Sequence, residues 1–163
     1  MKANPVLVAP CGLYCGVCAV YMADRDNNLK FKERLAHLYS GGVSGKGKLN
    51  ESENLSANDI KCKGCLSEDV FMYCKQCKIK SCTKEKGYAG CHQCDEFPCQ
   101  HIDNFPMTVG KKVILRAIPY WKEVGTDKFV EDEEARYFCP GCGNKVFRGA
   151  VKCNKCKATL DLD

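Results

Sequence analysis

The chain has 163 residues, 15 of them Cys, and a formal net charge of +5 from 25 Lys and Arg against 20 Asp and Glu. Its length fits one domain or one domain with a small appendage, no stretch approaches the ~20 apolar residues that span a bilayer, and the N-terminus lacks the apolar run of a secretory signal. We therefore expect a soluble cytoplasmic protein with no membrane partner, in which so many thiols indicate metal binding or catalysis rather than disulfides.

The first motif is the cysteine triplet Cys11, Cys15 and Cys18, with CxxxCxxC spacing. The same spacing occurs in radical S-adenosylmethionine enzymes, whose three-cysteine cluster leaves one iron open for the cofactor. Those enzymes need a βα barrel, and this chain has neither the length nor the alternating pattern of strands and helices to build one. An iron–sulfur cluster with one outside ligand and a zinc site completed by His101 remain the alternatives for this triplet.

Residues 29–39 predict an amphipathic helix, because apolar side chains recur there at helical spacing: Phe31, Leu35, Leu38 and Tyr39. Gly41 and Gly42 are suited to end that helix in a left-handed cap. The Gly-, Ser- and Asn-rich stretch 40–54 predicts a mobile loop. Part of this loop superficially resembles a phosphate-binding loop, but it lacks the Ser or Thr that binds magnesium.

The next feature is a series of cysteine motifs between residues 62 and 99. The spacing CxxCxxxxC occurs in it twice, and the flanking residues are mainly polar, so buried packing thiols are the less favoured interpretation. We expect all of these cysteines to bind metal: Cys62, Cys65, Cys74, Cys77, Cys82, Cys91, Cys94 and Cys99.

Two partitions of these thiols among ions remain open. A local partition gives one zinc the first four and another zinc the last four: Cys62, Cys65, Cys74 and Cys77, then Cys82, Cys91, Cys94 and Cys99. In the alternative, the CxxC units 15/18 and 62/65 share one ion, and the CxxC units 74/77 and 91/94 share another. It leaves a site that a histidine completes beside Cys11, Cys82 and Cys99. Loop-closure entropy grows only with the logarithm of loop length and does not decide between them, and we favour the local partition.

Residues 111–136 contain no cysteine and predict helices. One apolar face is formed by Val113, Ile114, Ala117, Ile118 and Trp121, and Pro119 divides this stretch into two short helices. Thr126 is the predicted N-cap of a further helix through Arg136. In that helix Phe129 and Val130 pack inward, and the acidic residues 131–134 form a solvated face.

The last motif consists of two CxxC units, Cys139/Cys142 and Cys153/Cys156. Two such turns complete a closed tetrahedral shell of four thiolates, and a strand between them makes a β zinc ribbon. Because a closed shell leaves no coordination position for a substrate, the predicted role is structural. Iron in a rubredoxin-like site is the alternative, and coordination chemistry favours zinc.

Together these motifs carry a family resemblance. The ordered series CGLYCGVC, CKGC, CKQCKIKSC and CHQCDEFPC, over about residues 8–105, resembles a family of small cysteine-rich prokaryotic proteins known only as a domain of unknown function. The C-terminal zinc ribbon looks like an extension found in some members. The resemblance implies a bacterial or archaeal protein that binds zinc through these cysteines, and it implies no activity.

We therefore expect a small metal-stabilised α+β fold in three parts. A cysteine-rich domain with short helices covers residues 1–105, a helical segment covers 106–137, and a zinc ribbon covers 138–163. The favoured function is a binding or adaptor protein that holds three or four zinc ions and serves an unknown protein partner, and catalysis is not favoured. Its exposed surfaces include the Gly-rich loop and a basic face: Lys75, Lys78, Lys80 and Lys84.

Two other function classes remain as alternatives. The first is an iron–sulfur redox or electron-transfer protein. The second is nucleic-acid binding through the basic residues of the C-terminal ribbon: Lys145, Arg148, Lys152, Lys155 and Lys157. The second is the less favoured, because each zinc with four thiolates carries a charge of about −2, and three such centres cancel the formal charge of +5.

Overall fold

The computed structural model describes residues 3–42 and 54–163. About half of the described residues are helical when the short 3₁₀ and π turns are included. The described part contains six α-helices: α1 Ala19–Arg25, α2 Leu29–His37, α3 Lys78–Glu85, α4 Gln100–Asp103, α5 Thr108–Val124 and α6 Thr126–Arg136. Short 3₁₀ turns cover Pro5–Leu7, Cys15–Val17, Ala57–Asp59, Met72–Cys74 and Cys91–Gln93, and a π turn covers Leu38–Gly42. Most of the predicted loop 40–54, including most of the stretch that resembles a phosphate loop, lies outside the described residues.

The expected α+β class and the expected β zinc ribbon are wrong, because the described residues contain no strand and no sheet. Antiparallel pairing among them is confined to isolated bridges, two of which flank the C-terminal cysteines: Phe138 with Lys145, and Lys152 with Thr159. The physical reason lies in the turns themselves. The N–H groups of Gly143 and Lys157 donate back to the carbonyls of Cys139 and Cys153, at 2.8 and 3.0 Å. The backbone therefore curls around the cysteines and does not extend into a ladder.

Helix α2 confirms most of the helix predicted over residues 29–39. Asn28 caps it, since its side chain accepts a hydrogen bond from the N–H of Phe31 at 3.0 Å. Leu35 is buried, as the apolar spacing predicts, but Leu38 is 45% exposed. The prediction for Leu38 is wrong because the α-helix ends at His37 and the π turn that follows changes the angular spacing of the side chains.

Helix α5 corrects the prediction of two short helices divided at Pro119. A single helix runs through this proline from Thr108 to Val124. Pro119 has no N–H to donate to the carbonyl of Leu115, but both residues lie on the exposed side of the helix. Water can therefore hydrogen-bond that carbonyl, and the helix continues. The opposite face is buried as predicted: Val113, Ile114, Ala117, Ile118 and Trp121.

Helix α6 confirms the predicted helix but shifts its cap by one residue. Gly125, at φ +79°, occupies the N-cap position, and Thr126 is the first helical residue. The Thr126 hydroxyl instead accepts a hydrogen bond from Nε1 of Trp121 at 3.0 Å. Phe129 and Val130 are buried, as predicted.

The prediction that the acidic residues 131–134 of α6 form a solvated face is wrong for two of them. Glu133 and Glu134 are buried. Glu133 pairs with Arg116 of α5 at 2.5 Å, and Glu134 pairs with Lys145 of the C-terminal segment, also at 2.5 Å. A buried carboxylate requires such a partner because an unpaired one is costly to desolvate.

Two clusters of buried apolar side chains form the interior of the described residues. The larger joins the N-terminal turns, α5, α6 and the C-terminal segment, and includes Leu7, Ile114, Phe129 and Leu160. The smaller joins α1, α2 and the turns near the first CxxC units, and includes Val20, Leu35, Ile60 and Phe71. The division into residues 1–105, 106–137 and 138–163 stays a prediction. Among the helices described, none combines the length and the apolar character that a membrane crossing requires.

Candidate metal centres

The C-terminal four-cysteine cluster consists of Cys139, Cys142, Cys153 and Cys156, which lie in two turns with the same hydrogen bonds. In the first turn the N–H of Cys139 donates to the carbonyl of Asn144 at 2.8 Å, and in the second the N–H of Cys153 donates to the carbonyl of Ala158 at 2.9 Å. Each turn therefore presents two sulfurs from a backbone of the same shape.

The two turns also share one backbone conformation just after the second cysteine. Gly143 has φ +66° and Lys157 has φ +63°, both in the left-handed region. Glycine adopts this region at no steric cost, whereas a side chain such as that of Lys157 makes it unfavourable. The second turn thus keeps the backbone conformation of the first, although Lys157 disfavours a positive φ. This indicates that the position of the two cysteines depends on that turn conformation.

The four sulfurs lie at distances that suit one metal ion. The Sγ atoms of Cys139 and Cys156 are 3.5 Å apart, and those of Cys142 and Cys153 are 3.7 Å apart. A tetrahedral ion with metal–sulfur bonds of ~2.3 Å separates its sulfurs by about 3.8 Å, whereas a disulfide would bring them to about 2.0 Å. All four ligand atoms lie within 4.8 Å of one another, and within the described ranges no other group of three or more His, Cys, Asp or Glu side chains does so. The cluster could therefore hold a metal ion.

The surroundings of Cys153 favour the thiolate form that a metal requires. Hydrogen bonds from the backbone N–H groups of Cys156 and Lys155 lower the pKa of the Cys153 thiol to about 6, and burial opposes that shift. Cys139 and Cys153 are buried, Cys142 is half-buried and Cys156 is exposed. The shell is thus closed on the protein side and reaches the surface at one sulfur.

The segment between the two turns anchors the cluster to the N-terminal part of the chain. The N–H of Arg148 donates to the carbonyl of Val17 at 2.8 Å, and its guanidinium donates to the carbonyl of Tyr14 at 3.2 Å. Phe147 packs against Phe31 of α2, with ring centroids 5.3 Å apart. The cluster is consequently docked on the body of the protein.

Arg148 also supplies positive charge beside the first cysteine triplet. Burial acts to lower the pKa of this guanidinium, but the neighbouring groups of Cys18, Tyr137, Cys15 and Cys11 more than offset that effect and the pKa is raised. From the sequence alone, Arg148 is one of the basic residues through which the C-terminal segment could bind nucleic acid. Nothing in the local pattern marks it as a residue that turns inward, because its partners lie more than 120 positions earlier in the chain.

A second group of cysteines lines one cavity of about 380 Å³: Cys82, Cys91, Cys94 and Cys99. Cys82 lies on α3, Cys91 opens a 3₁₀ turn, and Cys99 caps α4 with its carbonyl, which accepts from the N–H of Ile102 at 2.9 Å. The N–H of Cys91 donates to the carbonyl of Pro10 at 2.8 Å. These are the four cysteines that the local partition assigns together, and the assignment of any of them as a ligand stays a prediction.

The charged surroundings of this cavity include one lysine. The ammonium of Lys86 lies 3.9 Å from Sγ of Cys94 and 2.8 Å from a carboxylate oxygen of Glu96. Burial raises the pKa of the Cys91 thiol to about 12, and the neighbouring thiols of Cys99 and Cys94 add to the rise. Without a bound cation the Cys91 thiol stays protonated at neutral pH.

The seven remaining cysteines lie where the N-terminal triplet meets the CxxC units at 62/65 and 74/77: Cys11, Cys15, Cys18, Cys62, Cys65, Cys74 and Cys77. The N–H of Cys65 donates to Sγ of Cys15 at 3.3 Å. Burial raises the pKa of Cys65 to about 12, as do the adjacent thiols of Cys11 and Cys77. The structure thus brings the triplet beside Cys65 and Cys77, an approach that the local partition does not include.

The histidines take different places around these cysteines. His101 is exposed and lines the same cavity as the second group. The ring of His92 stacks on Trp121, with centroids 3.7 Å apart, and its buried Nδ1 has no hydrogen-bond partner among the described residues. Burial lowers the pKa of His92, so its neutral form is favoured.

Residues 7–104 match a family model described as a protein of unknown function (DUF3795). The chain belongs to the DUF3795 family. The matched region of this DUF3795 chain contains both N-terminal groups of cysteines, and the C-terminal four-cysteine cluster lies beyond it. Searches of the curated proteins and of the solved structures returned no match.

Proposed function

We propose that this chain is a zinc-binding protein in which the C-terminal four-cysteine cluster holds one structural zinc ion. The observation that carries the proposal is the pair of sulfur separations, 3.5 and 3.7 Å, close to the ~3.8 Å of a tetrahedral zinc–thiolate shell. Four thiolates in a tetrahedron are a common structural zinc site. Iron in the same shell absorbs visible light, so the colour of the purified protein separates the two metals.

The role of this ion in the proposal is to fix the C-terminal segment on the body of the protein. Val146, Cys153 and Leu160 belong to the larger buried cluster, together with residues of α5 and α6. Among the described residues no strand ladder joins the two turns of this segment. A metal ion that joins the two turns supplies the missing folding free energy.

A binding or adaptor role follows from the closed shell. Since four protein thiolates leave no coordination position open, the surface of the protein and not the ion meets a partner. We propose a protein partner, to which exposed lysines on and just before α3 offer positive charge: Lys75, Lys78 and Lys84. The fourth lysine of the predicted basic face, Lys80, is half-buried and donates to the carbonyl of Cys65. Nucleic acid is less favoured, because Lys145 and Arg148 of the C-terminal segment are already engaged with Glu134 and Tyr14.

The experiment that tests the zinc site compares Cys156→Ser with Lys155→Ser. Cys156 is exposed, so its substitution acts through the ion and not through packing. We expect elemental analysis to show one zinc fewer per chain in Cys156→Ser, together with a lower melting temperature. The control Lys155→Ser changes an exposed neighbour in the same turn and should leave both values unchanged. Equal zinc content in wild type and Cys156→Ser would overturn the proposal.

A second measurement separates a structural ion from a catalytic one. Cobalt introduced in place of zinc reports its ligands through its visible spectrum, and a closed shell should give the same spectrum with and without added cyanide or azide. A spectral change on addition of either anion would reveal an open position and contradict the structural role. Salt-dependent binding to a labelled DNA duplex would contradict the choice of a protein partner.

A further inference from the structure

The cavity formed by Cys82, Cys91, Cys94 and Cys99 differs from the C-terminal four-cysteine cluster in the way its sulfurs are arranged. Both sets contain four thiols within a short stretch of chain. In the C-terminal set all four sulfurs lie within 4.8 Å of one another, and in the described residues no three sulfurs of the cavity set do. One mononuclear ion needs sulfur separations of about 3.8 Å, so the cavity set is too open for it.

We propose that this cavity binds a polynuclear iron–sulfur cluster. Such a cluster places its iron and sulfide atoms between the cysteine ligands, and its thiolates therefore stand farther apart than those around a single ion. The cavity measures about 380 Å³, roughly the volume of thirteen liquid water molecules at ~30 Å³ each. A single zinc ion would leave most of that space unfilled.

The cavity wall suits a cluster in its chemistry as well as in its size. Ile79, Tyr88 and Phe97 line it beside the thiols, and an apolar wall limits the access of water, which sets the potential of a cluster. A cluster held by four thiolates is anionic, and the ammonium of Lys86 lies 3.9 Å from Sγ of Cys94. That lysine supplies a positive charge on the ligand side of the site.

Backbone hydrogen bonds fix these cysteines on different elements of the fold. Cys91 is tied to the N-terminal segment by its hydrogen bond to Pro10 at 2.8 Å, and Cys99 is tied to the start of α4. Cys82 is fixed on α3, where the hydroxyl of the next residue, Thr83, donates to the carbonyl of Ile79 at 3.1 Å. Cys82, Cys91 and Cys99 thus enter the cavity from three separate elements.

The test is anaerobic reconstitution of the full chain with ferrous iron and sulfide. We expect the wild type to retain more than one iron per chain and an equal amount of acid-labile sulfide, with visible absorbance. Cys82→Ser and Cys94→Ser should each lose most of the iron and the sulfide. Cys156→Ser should retain both and lose only zinc. This inference goes beyond the proposed zinc site, and because iron with sulfide and zinc are measured separately, either proposal can fail alone.

Two outcomes would overturn the inference. Zinc or iron bound at this site without sulfide would show a mononuclear centre, and full retention of iron and sulfide in Cys82→Ser and Cys94→Ser would place the cluster elsewhere. Should those variants fail to fold, thiol alkylation of the wild type before and after reconstitution gives the answer. We expect reconstitution to protect the four cavity cysteines, and protection of the Cys11, Cys15 and Cys18 triplet in their place would contradict the inference.

Lys86→Met provides a milder test that leaves all ligands intact. Removing a positive charge near Cys94 should stabilise the oxidised cluster, which carries less negative charge, so we expect a lower reduction potential with unchanged iron content. Lys84→Met changes an exposed lysine in the last turn of α3, which ends just before Lys86, and serves as the control because Lys84 does not line the cavity. An unchanged potential in Lys86→Met would contradict the placement of the cluster beside Cys94.

Discussion

Gly90→Ala tests the packing that positions the second group of cysteines. Gly90 is buried and has extended backbone, so alanine meets no conformational penalty there. A Cβ atom at this position would lie 2.8 Å from two ring carbons of Trp121 and 2.9 Å from the carbonyl oxygen of Pro10. The Trp121 ring cannot retreat freely, because it stacks on His92 and on Phe129 with centroids at 3.7 and 5.4 Å.

We expect Gly90→Ala to cost about 1–3 kcal/mol, the usual range for an added methyl group in a packed interior. For a chain of this size, each kcal/mol lowers the melting temperature by roughly 2–4 °C, so thermal denaturation followed by circular dichroism should show a fall of about 2–12 °C. Gly141→Ala is the matched control, since its Cβ would lie 3.7 Å from its nearest neighbours. Equal melting temperatures in the two variants would refute the packing argument.

Three further changes have expected outcomes. Glu133→Ala removes the carboxylate that binds the Arg116 guanidinium at 2.5 and 3.1 Å. It should lower the free energy of unfolding in urea by about 3 kcal/mol, the low end for a buried pair, because the arginine is partly exposed. Recovery of part of this loss when Arg116→Met is added would support the pairing, and a loss below ~1 kcal/mol would not. Arg148→Met should cost about 1.5–3 kcal/mol, as for a hydrogen bond from a charged group, and an unchanged unfolding midpoint would rule out its role at Tyr14. Pro119→Ala should raise the melting temperature, because alanine restores an N–H within the helix, and a lower value would contradict the uninterrupted course of α5.

Short-range features of this protein follow well from the sequence. The apolar spacing of α2 as far as Leu35 and the inward side chains Phe129 and Val130 of α6 depend on neighbours within a few positions. The same holds for the C-terminal four-cysteine cluster, where two CxxC turns separated by a short segment bring four sulfurs together. Local spacing is enough in these cases because the partners are close along the chain.

Features that depend on partners far apart in the chain could not be predicted from local sequence patterns. Glu133 is buried only because Arg116 faces it from the preceding helix, and Arg148 turns inward toward Tyr14 near the other end of the chain. Cys15 and Cys65 meet across 50 positions. Loop entropy varies too weakly with length to predict such pairings. The predicted division of α5 at Pro119 is wrong for another reason. The effect of a proline on a helix depends on whether the carbonyl that it leaves without a donor, here that of Leu115, faces water.

The most direct test of the proposed zinc site is X-ray absorption at the zinc edge of the purified chain. We expect a shell of sulfur atoms at about 2.3 Å with no nitrogen or oxygen ligand. In Cys156→Ser that signal should lose the contribution of one ion. A shell dominated by nitrogen or oxygen, or a protein that carries no zinc, would contradict the assignment of Cys139, Cys142, Cys153 and Cys156 as its ligands.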